Sequence, residues 1–246
     1  MSQRVGIFGA NGYLGKETIN LCRTMNVQYV ALGRKIEDLS PSILEDLTTI
    51  IDCGFPRDYY NIKRAHDYLK QVEKRSKFCN DHGIQYIYLT TFTSVVSSKS
   101  KYARLKNNTD ATVETFGGEL LRLGLVLDLA NPGGRFLELC SIIQKFPIVF
   151  VPSSDWFPVF TCTIDEYRAE IKSLLRNGSL IKGRLGKLQS LSDVIREVSI
   201  GKKVFMLGSF ATCLLATTLP LIAFGKREGI RGISVRMTDF TIKDLI

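Results

Sequence analysis

The sequence predicts an α/β fold: a doubly wound parallel sheet with helices on both faces and a small C-terminal lobe. Three observations predict it. Short apolar runs alternate with helix-like segments through the first half of the chain. The first run, residues 5–8, opens into the glycine-rich turn GANGYLG and then a helical stretch. The 246 residues suffice for one large α/β domain whose core needs neither disulfides nor structural metal.

The elements follow in order. After the turn, a helix runs to about Met25, and apolar runs at 27–32 and 47–53 make the second and third strands. Residues 58–81 read as a long polar helix, with Tyr60, Arg64, Tyr68, Val72 and Phe78 at loosely helical spacing. A strand at 84–89, a helix at 101–116 and a strand at 119–127 complete the alternation. The second half is less regular. Asn131-Pro-Gly-Gly reads as a loop, 135–145 as a helix, and 147–159, with three prolines, as loop and short strand. Residues 164–175 read as a helix opened by a Thr163 cap with Glu166 three positions on, and a further helix covers 192–199.

The formal net charge of +9 favours anionic partners. A phosphorylated cofactor or substrate, a nucleic acid and an anionic membrane all fit, but the positive residues are spread without a dense block, which weighs against nucleic acid. The six cysteines include no CxxC pair, and His66 and His82 are the only histidines. No metal site is therefore expected, and the thiols read as reduced cysteines of a cytoplasmic protein. The N-terminus enters a strand at once, so no signal peptide is expected. Residues 204–225 carry no charge over 22 positions, long enough to span a bilayer. Gly208, Pro220 and several Ser and Thr interrupt the run. A buried segment, or a face in peripheral contact with a membrane, fits better than a span.

The glycine turn is the strongest local signal. Gly9 permits the tight turn off the strand, Gly12 lets backbone approach a pyrophosphate, and Gly15 lets the helix pack closely. The helix N-terminus presents free N–H groups and partial positive charge to phosphates. Its position, between the first strand and a helix, is what a dinucleotide-binding Rossmann turn requires. Gly9, Asn11, Gly12, Tyr13, Leu14 and Gly15 are the expected cofactor contacts. The second strand ends in Arg34 and Lys35 rather than an acid. A guanidinium there would pair with a 2′-phosphate, so NADP is expected over NAD.

Tyr102 and Lys106 stand four apart, on one face of their helix. A phenol titrates near 10 and is a poor base at neutral pH; a neighbouring ammonium favours the phenolate. Tyr59 and Lys63 share the spacing.

Together these motifs resemble the extended and atypical branches of the short-chain dehydrogenase/reductase family, the group of nucleotide-sugar epimerases, dehydratases and reductases. The GxxGxxG spacing carries the resemblance, and so do the strand YIYLTTFTS before Tyr102, the segment Leu121-Arg-Leu-Gly-Leu-Val with its Pro-Gly-Gly loop, and Thr163-Ile-Asp. The resemblance implies one Rossmann-type domain over residues 1–246, with about 130–160 and 176–246 contributing a substrate lobe. It selects Tyr102 and Lys106 over Tyr59 and Lys63, which then belong to a helix surface. Tyr102 becomes the acid/base and Lys106 a holder of the nicotinamide ribose. Thr90, Thr91, Thr93 and Ser94 could supply the third catalytic hydroxyl; the family's SSxS pattern favours Thr91, with Thr93 second. Gly54, in the turn Asp52-Cys-Gly-Phe-Pro, would lie beside the dinucleotide. A nucleotide-sugar substrate is implied, whose diphosphate could meet Arg135, Lys145, and Lys202 or Lys203. So is a homodimer through the tyrosine helix. The chain departs from the pattern in two ways: Thr91 and Tyr102 are only eleven positions apart, and Asp110 stands where the family often has Glu. These departures leave room for a second reading, a non-catalytic NADP-binding sensor, scaffold or assembly protein.

Overall fold

The computed structural model describes residues 3–33, 36–38, 44, 46–56, 58–92, 101–152, 158–199 and 201–207. Arg34, Lys35, Thr93, Ser94 and residues 208–225 lie outside them. The chain divides into two compact units. One comprises residues through Asp128 together with Thr161–Gly186; the other comprises Leu129–Phe160 and the chain from Lys187.

The first unit is a doubly wound parallel sheet. Its strands are β1 (Arg4–Phe8), β2 (Gln28–Ala31), β3 (Thr49–Asp52), β4 (Gln85–Thr91), β5 (Glu119–Leu123) and β9 (Arg184–Leu185). They lie in the order β2-β1-β3-β4-β5-β9, and every ladder is parallel. Side-chain alternation along each strand feeds two cores. Val5 and Ile7 of β1, Ile51 of β3, and Ile87 and Leu89 of β4 pack with helices α1 (Tyr13–Thr24) and α5 (Ile164–Asn177). Phe8, Ile50, Tyr86 and Tyr88 point the other way and pack against Val72 and Cys79 of α2 (Ile62–Asp81) and Val113 of α3 (Lys101–Thr115). Helices on both faces are what a parallel sheet buried on both sides demands.

The strand order reverses at β1. The chain leaves β1 for β2 on one side, then crosses to β3 on the other. Ligands of open α/β sheets bind at such a switch point, beyond the carboxyl ends of the strands. Here that point lies past Phe8 and Asp52, which are paired in register.

The structure differs from the sequence expectation in several places. The long helix begins at Ile62 rather than Asp58, because the Asn61 side chain accepts from the Arg64 N–H and caps it. The single strand expected over 119–127 is two: β5, and β6 (Leu125–Leu127). The break falls at Gly124, whose N–H bonds to the Leu185 carbonyl at 2.8 Å. β6 instead pairs with β8 (Pro158–Thr163). Tyr59, read as a helix surface, lies in a turn before α2.

The capping box at α5 forms as expected: the Thr163 hydroxyl accepts from the Glu166 N–H and the Glu166 carboxylate accepts from the Thr163 N–H. Thr163→Ala is expected to lower stability by about 1 kcal/mol in urea denaturation, with an unchanged m-value.

The second unit contains α4 (Gly134–Gln144), β7 (Ile148–Pro152), β10 (Lys187–Ser190), α6 (Leu191–Val198) and β11 (Lys203–Leu207). β7 and β11 pair in parallel, and Val149, Ile143 and Ile195 form a small core with Val204 beside them. Residues 204–207 of the uncharged run are therefore strand. No helix among the described residues is long and apolar enough to cross a membrane.

Candidate active site

The glycine turn stands at the switch point. Gly9 has φ +70°, a left-handed conformation. A Cβ there would lie 2.6 Å from the Gly54 nitrogen and 2.7 Å from the Cys53 carbonyl carbon. The two turns, one after β1 and one after β3, thus touch backbone to backbone. Gly15 is filled just as tightly: its Cβ would lie 2.2 Å from the Gly9 oxygen. Gly15 therefore lets the helix pack closely against the turn itself. Gly12 is the N-cap of α1 and has no side chain with which to cap it.

The first intrahelical bond of α1 runs from Lys16 N–H to the Gly12 carbonyl. The N–H groups of Tyr13, Leu14 and Gly15 precede it, and the first turn holds no acid. Such a terminus combines donors with the positive end of the helix dipole, which is a site for an anion such as a dinucleotide pyrophosphate. Asn11 is exposed at the tip of the turn. The Tyr13 hydroxyl donates to Asp128 at 2.7 Å, and burial together with this bond holds the phenol well above its usual range.

A buried network fixes the turn after β3. The fully buried Asp52 accepts three bonds: Gly54 N–H at 2.8 Å, the Arg75 guanidinium at 2.8 Å and the Tyr86 hydroxyl at 2.7 Å. Arg75 also covers the Phe8 ring at 4.0 Å. On the far side the Tyr68 hydroxyl donates to the Gly54 carbonyl at 2.7 Å. Gly54 is therefore held through both its N–H and its C=O. Burial first, then the Asp52 charge, pushes the neighbouring Cys53 thiol up to about 12, so it stays protonated and is no nucleophile at neutral pH.

Tyr102 and Lys106 both lie on α3. Lys106 is 4 % exposed, and its ammonium donates to the Tyr88 hydroxyl at 2.9 Å and the Leu89 carbonyl at 3.1 Å. Tyr88 in turn meets the Tyr68 hydroxyl at 2.9 Å. The ammonium also lies 4.5 Å from the Phe55 ring centre. Tyr102 is half-buried, edge-on to Phe55 at 5.1 Å and to Tyr59 at 5.3 Å. Phe55 is thus a shared neighbour of both members of the pair. Thr91 closes β4, three residues beyond Tyr88 and opposite Leu123. Thr90 has the opposite parity, and its hydroxyl is buried without a hydrogen-bond partner among the described residues.

Of the cations considered for a substrate diphosphate, Lys202 is engaged elsewhere. Its ammonium donates to the carbonyls of Ile143, Gln144 and Phe146 and closes the C-terminal end of α4. Arg135 pairs with Glu138 at 3.0 Å.

Sequence reasoning missed the residues that do the holding: Asp52, Arg75, Tyr86, Tyr68, Tyr88 and Phe55. The only local signal was an acid at the end of an apolar strand, Ile50-Ile51-Asp52, a buried charge that must find a partner.

No family model matches the chain, and no curated protein matches it. Solved structures do. An NAD-dependent NDP-hexosamine 5,6-dehydratase of tunicamycin biosynthesis matches with TM-score 0.66 at 15 % identity, covering 84 % of this chain and 85 % of that one. A dTDP-4-dehydrorhamnose reductase from Clostridium acetobutylicum matches with TM-score 0.65 at 13 % identity over 85 % of each chain. A UDP-glucose 4-epimerase from Thermotoga maritima, in complex with UDP-glucose, matches with TM-score 0.56 at 11 % identity, covering 84 % of this chain and 86 % of that one. At these identities the likeness establishes the fold alone, a Rossmann-type parallel sheet with helices on both faces.

Proposed function

We propose that the chain is an NADP(H)-dependent oxidoreductase or epimerase of a nucleotide sugar, with Tyr102 as its acid/base. The observation that carries this reading is the uncapped, acid-free N-terminus of α1 at the β1/β3 switch point, reached across Gly9, Gly12 and Gly15. The amides of Tyr13, Leu14 and Gly15 would hold the cofactor pyrophosphate, and Gly54 would lie beside the dinucleotide. Arg34 and Lys35 would take the 2′-phosphate. Nicotinamide, when bound there, would supply or accept the hydride. The protein's part is the proton: the Tyr102 phenol gives it to, or takes it from, the reacting sugar oxygen. The Thr91 hydroxyl would donate to that same oxygen, and the Lys106 ammonium would hold the nicotinamide ribose. The net charge of +9 suits a diphosphate-bearing substrate. The neighbours that act on or bind NDP-hexosamine and UDP-glucose support the substrate class.

Tyr102→Phe is expected to lower turnover by roughly 10²–10⁴-fold while NADPH affinity, read by nicotinamide fluorescence, stays within about twofold. Activity that survives this substitution would remove Tyr102 from its role. Stoichiometric consumption of NADPH identifies a reductase; turnover without net oxidation identifies an epimerase.

Two observations favour a second reading, a non-catalytic NADP sensor, scaffold or assembly protein. The Lys106 ammonium is buried against Tyr88 and Leu89, and the segment joining Thr91 to Tyr102 is short. NADPH binding without turnover of any nucleotide sugar in a broad panel would favour that reading.

A further inference from the structure

We propose that Phe55 is a positioning residue for Tyr102 and Lys106, a role that rests on the functional reading above. Three features converge on this ring. Its face takes the Lys106 ammonium at 4.5 Å, an attraction that strengthens where the cation is desolvated, and Lys106 is 4 % exposed. It meets the Tyr102 ring edge-on, 5.1 Å between centres and 71° between planes, the geometry that the ring quadrupoles favour. It meets Tyr68 in the same way at 5.5 Å and 75°.

The backbone beside the ring is held on both sides. The ring's neighbour in sequence, Gly54, is tied by the Asp52 carboxylate on one side and the Tyr68 hydroxyl on the other. The turn after β3 therefore does two things at once. Its backbone forms the floor against Gly9, and its next side chain sets the rotamers of the pair on α3. Cofactor turn and catalytic pair become one mechanical unit, joined at residues 54 and 55. A helix surface alone would leave a tyrosine and a lysine free to choose among rotamers; the shared aromatic neighbour narrows that choice.

The test reads Tyr102 directly, without substrate. The protein is prepared with ring-labelled ¹³C-tyrosine, and the Tyr102 resonance is assigned by its absence from Tyr102→Phe. One sharp resonance is expected in the wild type. Phe55→Leu, which keeps an apolar side chain but removes the ring, should broaden or split it. Phe55→Trp, which returns an aromatic face, should restore one resonance. Pentafluorophenylalanine at 55 keeps nearly the same volume but reverses the face quadrupole. It should also broaden the signal, and it replaces Phe55→Leu if that variant does not fold. A merely structural Phe55 would lower the melting temperature and leave one sharp Tyr102 signal in every folded variant; that result overturns the proposal. NADPH titration of the wild type is run alongside. Absence of cofactor binding there would sink the functional reading, whereas an unbroadened Tyr102 signal in the Phe55 variants would sink only the positioning role.

Discussion

Gly9→Ala is expected to abolish dinucleotide binding and to lower stability by about 2–5 kcal/mol. Two independent effects add. The residue holds φ +70°, which costs an L-residue about 1–2 kcal/mol. The new methyl would also lie 2.6–2.8 Å from three backbone atoms of Cys53 and Gly54, and overpacking of this kind costs about 1–3 kcal/mol. Those atoms cannot retreat cheaply. Cys53 N–H bonds to the Phe8 carbonyl at 3.0 Å, and Gly54 is held by Asp52 and Tyr68. The turn after β1 must move instead, and it carries the first-turn amides of α1. Gly33→Ala is the matched control, since a Cβ there meets nothing within 4 Å; its stability should stay within about 0.5 kcal/mol of wild type. Urea denaturation and NADPH fluorescence titration of both variants check the contrast. Wild-type affinity in Gly9→Ala would remove the glycine turn from the site.

Asp52→Ala should be comparably damaging, by a different route. Asp52 and Arg75 are a buried ion pair, with side chains 0 % and 6 % exposed and 2.8 Å apart. Removing one partner of such a pair typically costs about 3–5 kcal/mol, because the remaining charge keeps its desolvation penalty. The double variant Asp52→Leu/Arg75→Met should be less destabilised than Asp52→Ala, since it removes both charges. Chemical denaturation of the single and double variants measures this directly. A double variant destabilised by the full sum of the Asp52→Leu and Arg75→Met effects would show that the pair is not coupled. Asp52→Ala also frees the Gly54 N–H, so cofactor affinity should fall with stability.

What the sequence revealed and what it hid divide along sequence separation. The turn from β1 into α1 was legible because its requirements are local: a strand, three glycines and a helix within twelve residues or so of one another. The Thr163 capping box was legible for the same reason. The alternation of strand and helix carried the fold class, because a parallel strand needs a crossover between itself and its neighbour. The Asp52 network was not legible. Its partners lie 23 and 34 positions away, and nothing in the spacing of Arg75 or Tyr86 marks them. Phe55 was visible only as part of a turn. Its proposed role depends on which helix the fold lays over it, and the Phe55–Tyr102 contact reaches across the whole β3–α2–β4 crossover to the start of α3. The split at Gly124 was hidden for a similar reason: the residues 119–127 read as one apolar run, and the Gly124 N–H just past β5 donates to the Leu185 carbonyl, 61 positions on. Tyr59 is the counter-example. It shares the Tyr-x-x-x-Lys spacing, yet it serves as a ring neighbour of Tyr102.

The most direct test of the central claim is equilibrium binding of nicotinamide dinucleotides to the purified full chain. Titration with NADPH and NADH, followed by nicotinamide fluorescence and calorimetry, should give saturable one-to-one binding, tighter for NADPH, and no saturation in Gly9→Ala. Failure of both dinucleotides to saturate the wild-type protein would contradict the account.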